Sequence, residues 1–280
     1  MDNFQFDQAE GLRRILAGPK PRVFTFLSSM KNDDKNAMLV NLCASLARFG
    51  SNAILLDASM GSHGAAGKLG VTPDATLLQV ARGEKAIDDA ILTTQQGFGM
   101  AVLAGPAFRQ ALRHSKQMQS IEKTFDTLVQ QTEVLMVDAE LDEDDALPLP
   151  ILAESDIVVQ VSDSAASIKS AYAMIKRLHE QLGRRPFSIL ATGATEQRAQ
   201  VVYQNMAQAA SRYLAISLDS IGFVPQDEHM TRAARLGRSV IDAFPLAGAS
   251  VAFRRMAERF ICSDNRVDYG MMARGPSFSA

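Results

Sequence analysis

The stretch Val23-Phe24-Thr25-Phe26-Leu27, followed by Ser28-Ser29-Met30-Lys31-Asn32-Asp33-Asp34-Lys35-Asn36, decides how this chain folds. The first five residues form a short apolar run, the signature of a strand covered on both faces. The polar segment after it reads as a loop. From about residue 37 to 49 apolar residues recur at helical spacing, and Gly50 follows as a C-cap residue. The same alternation runs downstream. Residues 53–57 read as a second buried strand ending in the acid Asp57, and further strands are predicted at 100–103, 134–138, 157–161, 187–191 and 221–224. Helical patterns at 115–131, 164–182, 196–214 and 229–237 separate most of them. Strands alternating with helices predict an α/β fold: a mainly parallel twisted sheet with helices on both faces. Ligands of such sheets bind beyond the carboxyl ends of the strands, which places loop 28–36, Asp57 with its following loop, and Asp138 on one rim.

Three regions are expected: an N-terminal segment and linker over 1–20, an α/β domain over 21–262, and a flexible polar tail over 263–280 with Gly270, Gly275 and Pro276. In the first, Phe6, Ala9, Leu12, Ile15 and Leu16 share one helical face, and Gly18-Pro19-Lys20-Pro21 ends the helix. Near the other end, Val251, Phe253, Met256, Ala257, Phe260 and Ile261 oppose Arg254, Arg255 and Arg259. That helix either packs on the core or lies on anionic lipid through Phe253, Arg254, Arg255 and Phe260. Composition narrows the classes. Hydrophobic residues at 47% and charged residues at 21% exclude wholesale disorder. A net charge of −2 gives no global basic field, so direct nucleic-acid binding is not expected. Cys43 and Cys262 cannot build a disulfide scaffold, which fits a reducing compartment. The N-terminus lacks a basic start followed by an apolar run, and no apolar stretch nears the ~20 residues of a membrane span. A cytoplasmic location is expected, with peripheral attachment at the inner membrane or a cell pole left open. His63, His114, His179 and His229 are scattered, and the acidic run Glu140, Asp142, Glu143, Asp144 and Asp145 reads as a solvated loop, so no metal site is predicted.

A polar turn between a buried strand and a helix is where a phosphate-binding loop belongs, yet residues 28–36 contain no glycine. Other segments place the chain all the same: DQAEGLRR at 7–14, VNLCASLARFG at 40–50, LLDASMG at 55–61, VLMVDAE at 134–140, SIKSAYAMIKRL at 167–178, DSIGFVPQD at 219–227 and AFRRMAERF at 252–260. Through these, from Asp7 to about Phe260, the chain resembles the MinD/ParA group of P-loop ATPases, and within it the FlhG (FleN) regulators of flagellar number and placement. DQAEGLRR ahead of the phosphate-loop position is specific to the FlhG branch; the later segments mark the wider group.

The resemblance implies an ATP and magnesium site built by Lys31, Lys35, Asn36, Asp57, Asp138 and Pro225, and it shows where this chain departs from the pattern. The family loop reads KGGVGKT, its first lysine reaching across a dimer, its second holding the β- and γ-phosphates and its threonine holding magnesium. Here the positions are Met30, Lys31, Asn32, Asp33, Asp34, Lys35 and Asn36, so only the second lysine is kept. Side chains in place of the glycines cost about 1–3 kcal/mol each along the same backbone path. Asp33 and Asp34 put negative charge against a polyanion, at roughly 4 kcal/mol each for ~4 Å and an effective dielectric near 20. Micromolar affinity corresponds to only about 8 kcal/mol. Ser59 stands where the family's first switch carries the acid that positions the attacking water. Asp138 is kept in the second switch, but its DTxxG glycine is replaced by Asp142. Ala191 replaces the adenine-contacting asparagine, while Gly222 to Asp227 keeps the base-proximal loop. Asp57, Ser59 and Asp138 are therefore the family's catalytic positions, with hydrolysis expected to be lost.

The partner motif, by contrast, is intact. The resemblance implies that Asp7, Gln8, Ala9, Leu12 and Arg13 dock on FlhF, the signal-recognition-type GTPase that marks the flagellar pole. Gln8 would help order the water attacking FlhF's GTP, an amide being able to donate and accept at once. Flagellar switch or C-ring components and a flagellar transcription regulator are further implied partners. The leading expectation is an FlhG-like regulator that stimulates FlhF. The alternatives are an active MinD-type ATPase that dimerises on ATP and binds membrane, and a same-fold localisation scaffold for cellulose or pilus machinery. Monomer and homodimer both remain open.

Overall fold

The computed structural model describes residues 20–29, 32–59, 64–104 and 115–262. The N-terminal motif, Lys31 and the tail 263–280 lie outside them. The chain runs β1 (Arg22–Ser28), α1 (Asn32–Arg48), β2 (Ala53–Ala58), α2 (Ala65–Leu69), α3 (Leu77–Ala81), β3 (Leu92–Thr93), β4 (Gly99–Val102), α4 (Ser115–Val129) and β5 (Val134–Ala139). It continues through β6 (Asp156–Ser162), α5 (Ala165–Leu182), β7 (Phe187–Thr192), α6 (Glu196–Leu214), β8 (Leu218–Val224), α7 (Glu228–Arg235), α8 (Val240–Ala243) and α9 (Gly248–Cys262). The strands form one eight-stranded sheet in the order β3-β4-β2-β5-β1-β6-β7-β8, parallel throughout except for the short β3–β4 pair. The predicted α/β architecture is the one observed.

Strand apolarity follows from this layering. Every residue of β2 and β5 is buried, because parallel strands between two helical layers have no solvent face. Successive side chains still alternate between the layers. Phe24, Phe26, Leu55 and Met136 pack on one side with Leu39, Leu42, Cys43 and Leu46 of α1 and with Phe253, Met256 and Phe260 of α9. Leu27, Leu56, Val137 and Val159 pack on the other with α4, α5 and α6 through Phe125, Ile175 and Met206. Two cores thus clamp one sheet. Helix starts are fixed by side-chain caps: Ser164, Thr195 and Ser239 accept the backbone N–H of Ser167, Arg198 and Asp242.

Three differences from the sequence reading have physical causes. The first helix starts at Asn32 rather than near residue 37, since Asn and Asp are residue types that suit a helix start. Lys35 and Asn36 are therefore helical, not in a loop. The strand predicted at 221–224 begins at Leu218 and carries a register shift opposite Ile189 and Leu190. Gly222 allows it at φ +148°, and a Cβ there would lie 3.1 Å from Met256 of α9. The short elements α2, α3, β3 and α8 were not predicted, because so few residues show no period.

The last helix is a core element. Phe253 and Phe260 are fully or nearly fully buried, and Phe260 meets Phe24 edge-on with ring centroids 4.4 Å apart. Lipid contact through these two rings is therefore corrected: their apolar face is already covered by the sheet. Arg255 remains exposed, and Arg254 donates to the Pro245 carbonyl at 2.7 Å. Among the described residues no helix is long and apolar enough to cross a membrane. In urea unfolding, Phe253→Ala should cost about 3–5 kcal/mol and Arg255→Ala less than about 0.5 kcal/mol. Similar losses for both would contradict the packing described.

Candidate functional site

At the carboxyl ends of β1, β2 and β5 the parallel register brings three charged side chains together. Asp57 and Asp138 are direct neighbours across β2 and β5, and Phe26 of β1 lies beside Asp138. The first turn of α1 adds Lys35, only 1% exposed, with Asn36 equally buried. Lys35 Nζ lies 2.7 Å from Asp138 Oδ1 and donates to the Ala139 carbonyl, also at 2.7 Å. Asp138, wholly buried, accepts the Ala65 N–H on Oδ2 at 3.1 Å. Asp57 Oδ2 accepts the Ala66 N–H at 3.0 Å, and its Oδ1 accepts both the Ser59 N–H at 3.0 Å and the Ser59 hydroxyl at 2.6 Å. Lys35, Asp57 and Asp138 are thus each met from within the chain, and two of the donors are the first N–H groups of α2.

This arrangement has a cost and a remedy. A buried lysine or carboxylate is tolerated only with a partner and further hydrogen bonds. Lys35 supplies one positive charge for two carboxylates. Burial raises the pKa of Asp57 above the ordinary 3.8, the nearby Asp138 charge adds to the rise, and the Ser59 and Ala66 donors oppose it. Gly64 closes the gap: a Cβ there would collide with the Asp57 carboxylate and the Ser59 hydroxyl. Tested against a triphosphate and magnesium, these residues as folded do not fit. The lysine is engaged by Asp138 and Ala139, α2 sits on the carboxylate oxygens a metal would need, and no hydroxyl stands at position 36.

The sequence-predicted residues fall into separate groups. Lys35, Asn36, Asp57, Ser59 and Asp138 come together at the rim. Pro225 does not. It follows β8, three strands from β1 and so about 14 Å across the sheet. It packs toward Gly248 at the start of α9, where an added Cβ would lie 3.5 Å from its ring. Lys31 and the partner residues Asp7, Gln8, Ala9, Leu12 and Arg13 lie outside the described residues. The acidic run turns on itself, Asp142 Oδ1 accepting the N–H groups of Asp144 and Ala146 at 2.9 and 2.8 Å while Asp145 pairs with Arg177. Among the described residues no group of three or more His, Cys, Asp or Glu could hold a metal ion.

Sequence reasoning missed the backbone donors of Ala65 and Ala66, to which Gly64-Ala65-Ala66, a run of small residues soon after Asp57, was the available clue. It also missed two welds. Ser29 Oγ, on the other side of β1, meets the Gln160 carbonyl at 3.2 Å and Ser167 Oγ at 2.8 Å, while Gln160 Nε2 donates to Thr192 at 3.2 Å. Asp227 accepts the N–H of His229 at 2.9 Å and of Ala249 at 3.0 Å, capping α7 and α9 together. Burial alone would raise the Asp227 carboxyl; those two donors and the His229 ring outweigh it and hold the pKa below the ordinary value.

Because folding raises the Asp57 pKa, the folded state binds that proton more tightly than the unfolded chain. Its contribution to stability is complete below pH 3.8 and is lost as pH rises through the folded value. The Asp57 carboxyl carbon, followed by NMR, should titrate with a midpoint above 3.8, and the difference in stability between parent and Asp57→Asn should fall across that window. A midpoint below 3.8 would contradict the burial described.

No family model matches the chain. The antiactivator FleN of Pseudomonas aeruginosa is 30% identical over 228 residues, which is 80% of this chain and 81% of FleN. An uncharacterized ATP-binding protein of Methanocaldococcus jannaschii is 24% identical over 229 residues, 81% of this chain and 83% of that one. Among solved structures, MinD of Aquifex aeolicus superposes with a TM-score of 0.60 at 18% identity over 86% of this chain and 96% of its own. MinD of Pyrococcus furiosus gives 0.62 at 15% over 86% and 98%, and a ParA family ATPase of Chlorobium tepidum gives 0.61 at 16% over 86% and 98%. At such identities the structures speak for the fold, whereas the match to FleN speaks for the family. On that match, and with the fold it shares with these structures, the chain belongs to the FleN (FlhG) family of MinD/ParA-type proteins.

Proposed function

We propose that this chain is an FlhG-type regulator of flagellar number and placement that binds the GTPase FlhF through Asp7, Gln8, Ala9, Leu12 and Arg13, stimulates its GTP hydrolysis, and has lost ATP hydrolysis of its own. Family membership and the intact DQAEGLRR at 7–14 support the partner half of this reading. The observation that carries the other half is the buried Lys35, whose ammonium turns into the chain onto Asp138 and Ala139 instead of outward to a phosphate. Ser59 supports it as well, since its hydroxyl is directed at Asp57 and position 59 itself carries no carboxylate to orient water. In FlhF's site the Gln8 amide would position the attacking water, and the Gly-Pro linker at 18–21 would let the segment reach it. The Pseudomonas relative is an antiactivator, so a transcription activator is a second class of partner. The place of action is the cytoplasm near the inner membrane or a cell pole.

A second reading, retained Mg-ATP binding with dimerisation, draws on the relative described as ATP-binding and on the Pyrococcus horikoshii MinD structure with Mg-ADP, which superposes with a TM-score of 0.61 at 14% identity. It requires Lys35 to leave Asp138. Titration calorimetry separates the two, the leading reading expecting no heat at micromolar Mg-ATP. For the partner half, the parent protein should raise FlhF's GTP turnover at least several-fold, and Gln8→Ala should remove most of that rise. No stimulation by the parent would end the activator reading.

A further inference from the structure

We infer that Lys35 is a structural lock: it neutralises Asp138 inside the fold, and the ligand-free protein depends on that pair to keep its rim closed. This rests on the reading that the rim does not turn ATP over, and adds how the rim is held. Lys35 and Asp138 are 1% and 0% exposed, with 2.7 Å between their charged atoms. Lys35 also donates to the Ala139 carbonyl, Asp138 Oδ2 also accepts the Ala65 N–H, and Ala66 holds Asp57 in the same way one residue on. Gly64 removes the side chain that would collide with Asp57 and Ser59 as α2 closes over them.

Two roles for a lysine here differ in what its removal does. A lysine reserved for phosphate contributes nothing to the empty protein, so its loss leaves ligand-free stability unchanged or improved. A lysine that neutralises a buried carboxylate leaves an uncompensated charge behind when removed, and replacing both members by apolar residues is far milder than removing one. The geometry here is of the second kind. One consequence is that Mg-ATP in solution leaves the rim of the parent protein as it is. Another is that a nucleotide could enter only by first breaking this pair and lifting α2.

The test is thermal unfolding of the full-length ligand-free protein as parent, Lys35→Met, Asp138→Leu and the double variant, with a Mg-ATP arm on the parent. The lock predicts that each single variant melts roughly 10 °C below the parent. It further predicts that the double variant recovers at least half of that loss and that millimolar Mg-ATP leaves the parent's Tm in place. If a single variant does not fold, hydrogen exchange on the parent decides. The Ala65 and Ala66 amides should be protected in the absence of ligand, and exchange at unstructured-chain rates would overturn the lock. So would a Lys35→Met protein that melts with the parent, or a Mg-ATP stabilisation of the parent that Lys35→Met abolishes. None of these readouts involves FlhF. A protein that activates no GTPase could still show the lock, and one without the lock could still activate.

Discussion

Lys35 and Asp138 meet at 2.7 Å where almost no water reaches, and this pair sets the terms for the rim around it. Two carboxylates on adjacent strands, Asp57 and Asp138, stand at the end of a sheet whose faces are otherwise apolar. Such a pair cannot be buried without a cation and donors. The cation comes from the first turn of α1 and the donors from the first turn of α2, so two helices separated by β2 are drawn onto one spot. Gly64 matters for this reason: only a residue without a side chain lets α2 come close enough.

The remainder of the sheet's carboxyl edge is tied in a different way. On one side of β1, hydroxyl and amide groups of Ser29, Ser167, Gln160 and Thr192 join β1 to β6 and β7. Further along, Asp227 caps α7 and α9 at once, and α9 lies with Phe253 and Phe260 in the core beneath. These fastenings are neutral or locally compensated. In the charged cluster, by contrast, Lys35 stands beside two buried carboxylates.

Most of the architecture was legible in the sequence because strands buried on both faces need continuous apolar runs, and long helices need apolar residues at a period near 3.6. The strands around Phe24, Leu55, Met136, Val159 and Leu190 and the helices α4, α5 and α6 were readable on these grounds. So were the rim and its members Lys35, Asp57 and Asp138, since a parallel sheet gathers its strand ends. The short elements were not, for they contain too few residues to show a period. The start of α1 was missed because a polar, acidic run suits both a loop and a helix's first turn.

Sequence by itself determined the fold class and placed two acids and one lysine at the ends of strands and the start of a helix, because periodicity and strand order follow from local side-chain chemistry. It also carried the departures from a glycine-rich phosphate loop, which are matters of residue identity. Tertiary structure alone decided which groups face one another: that Lys35 turns onto Asp138, that backbone N–H groups of Ala65 and Ala66 hold the carboxylates, and that the last helix is a core element. Those outcomes depend on backbone donors and on through-space distances between residues far apart in the chain, and neither is written in the order of side chains.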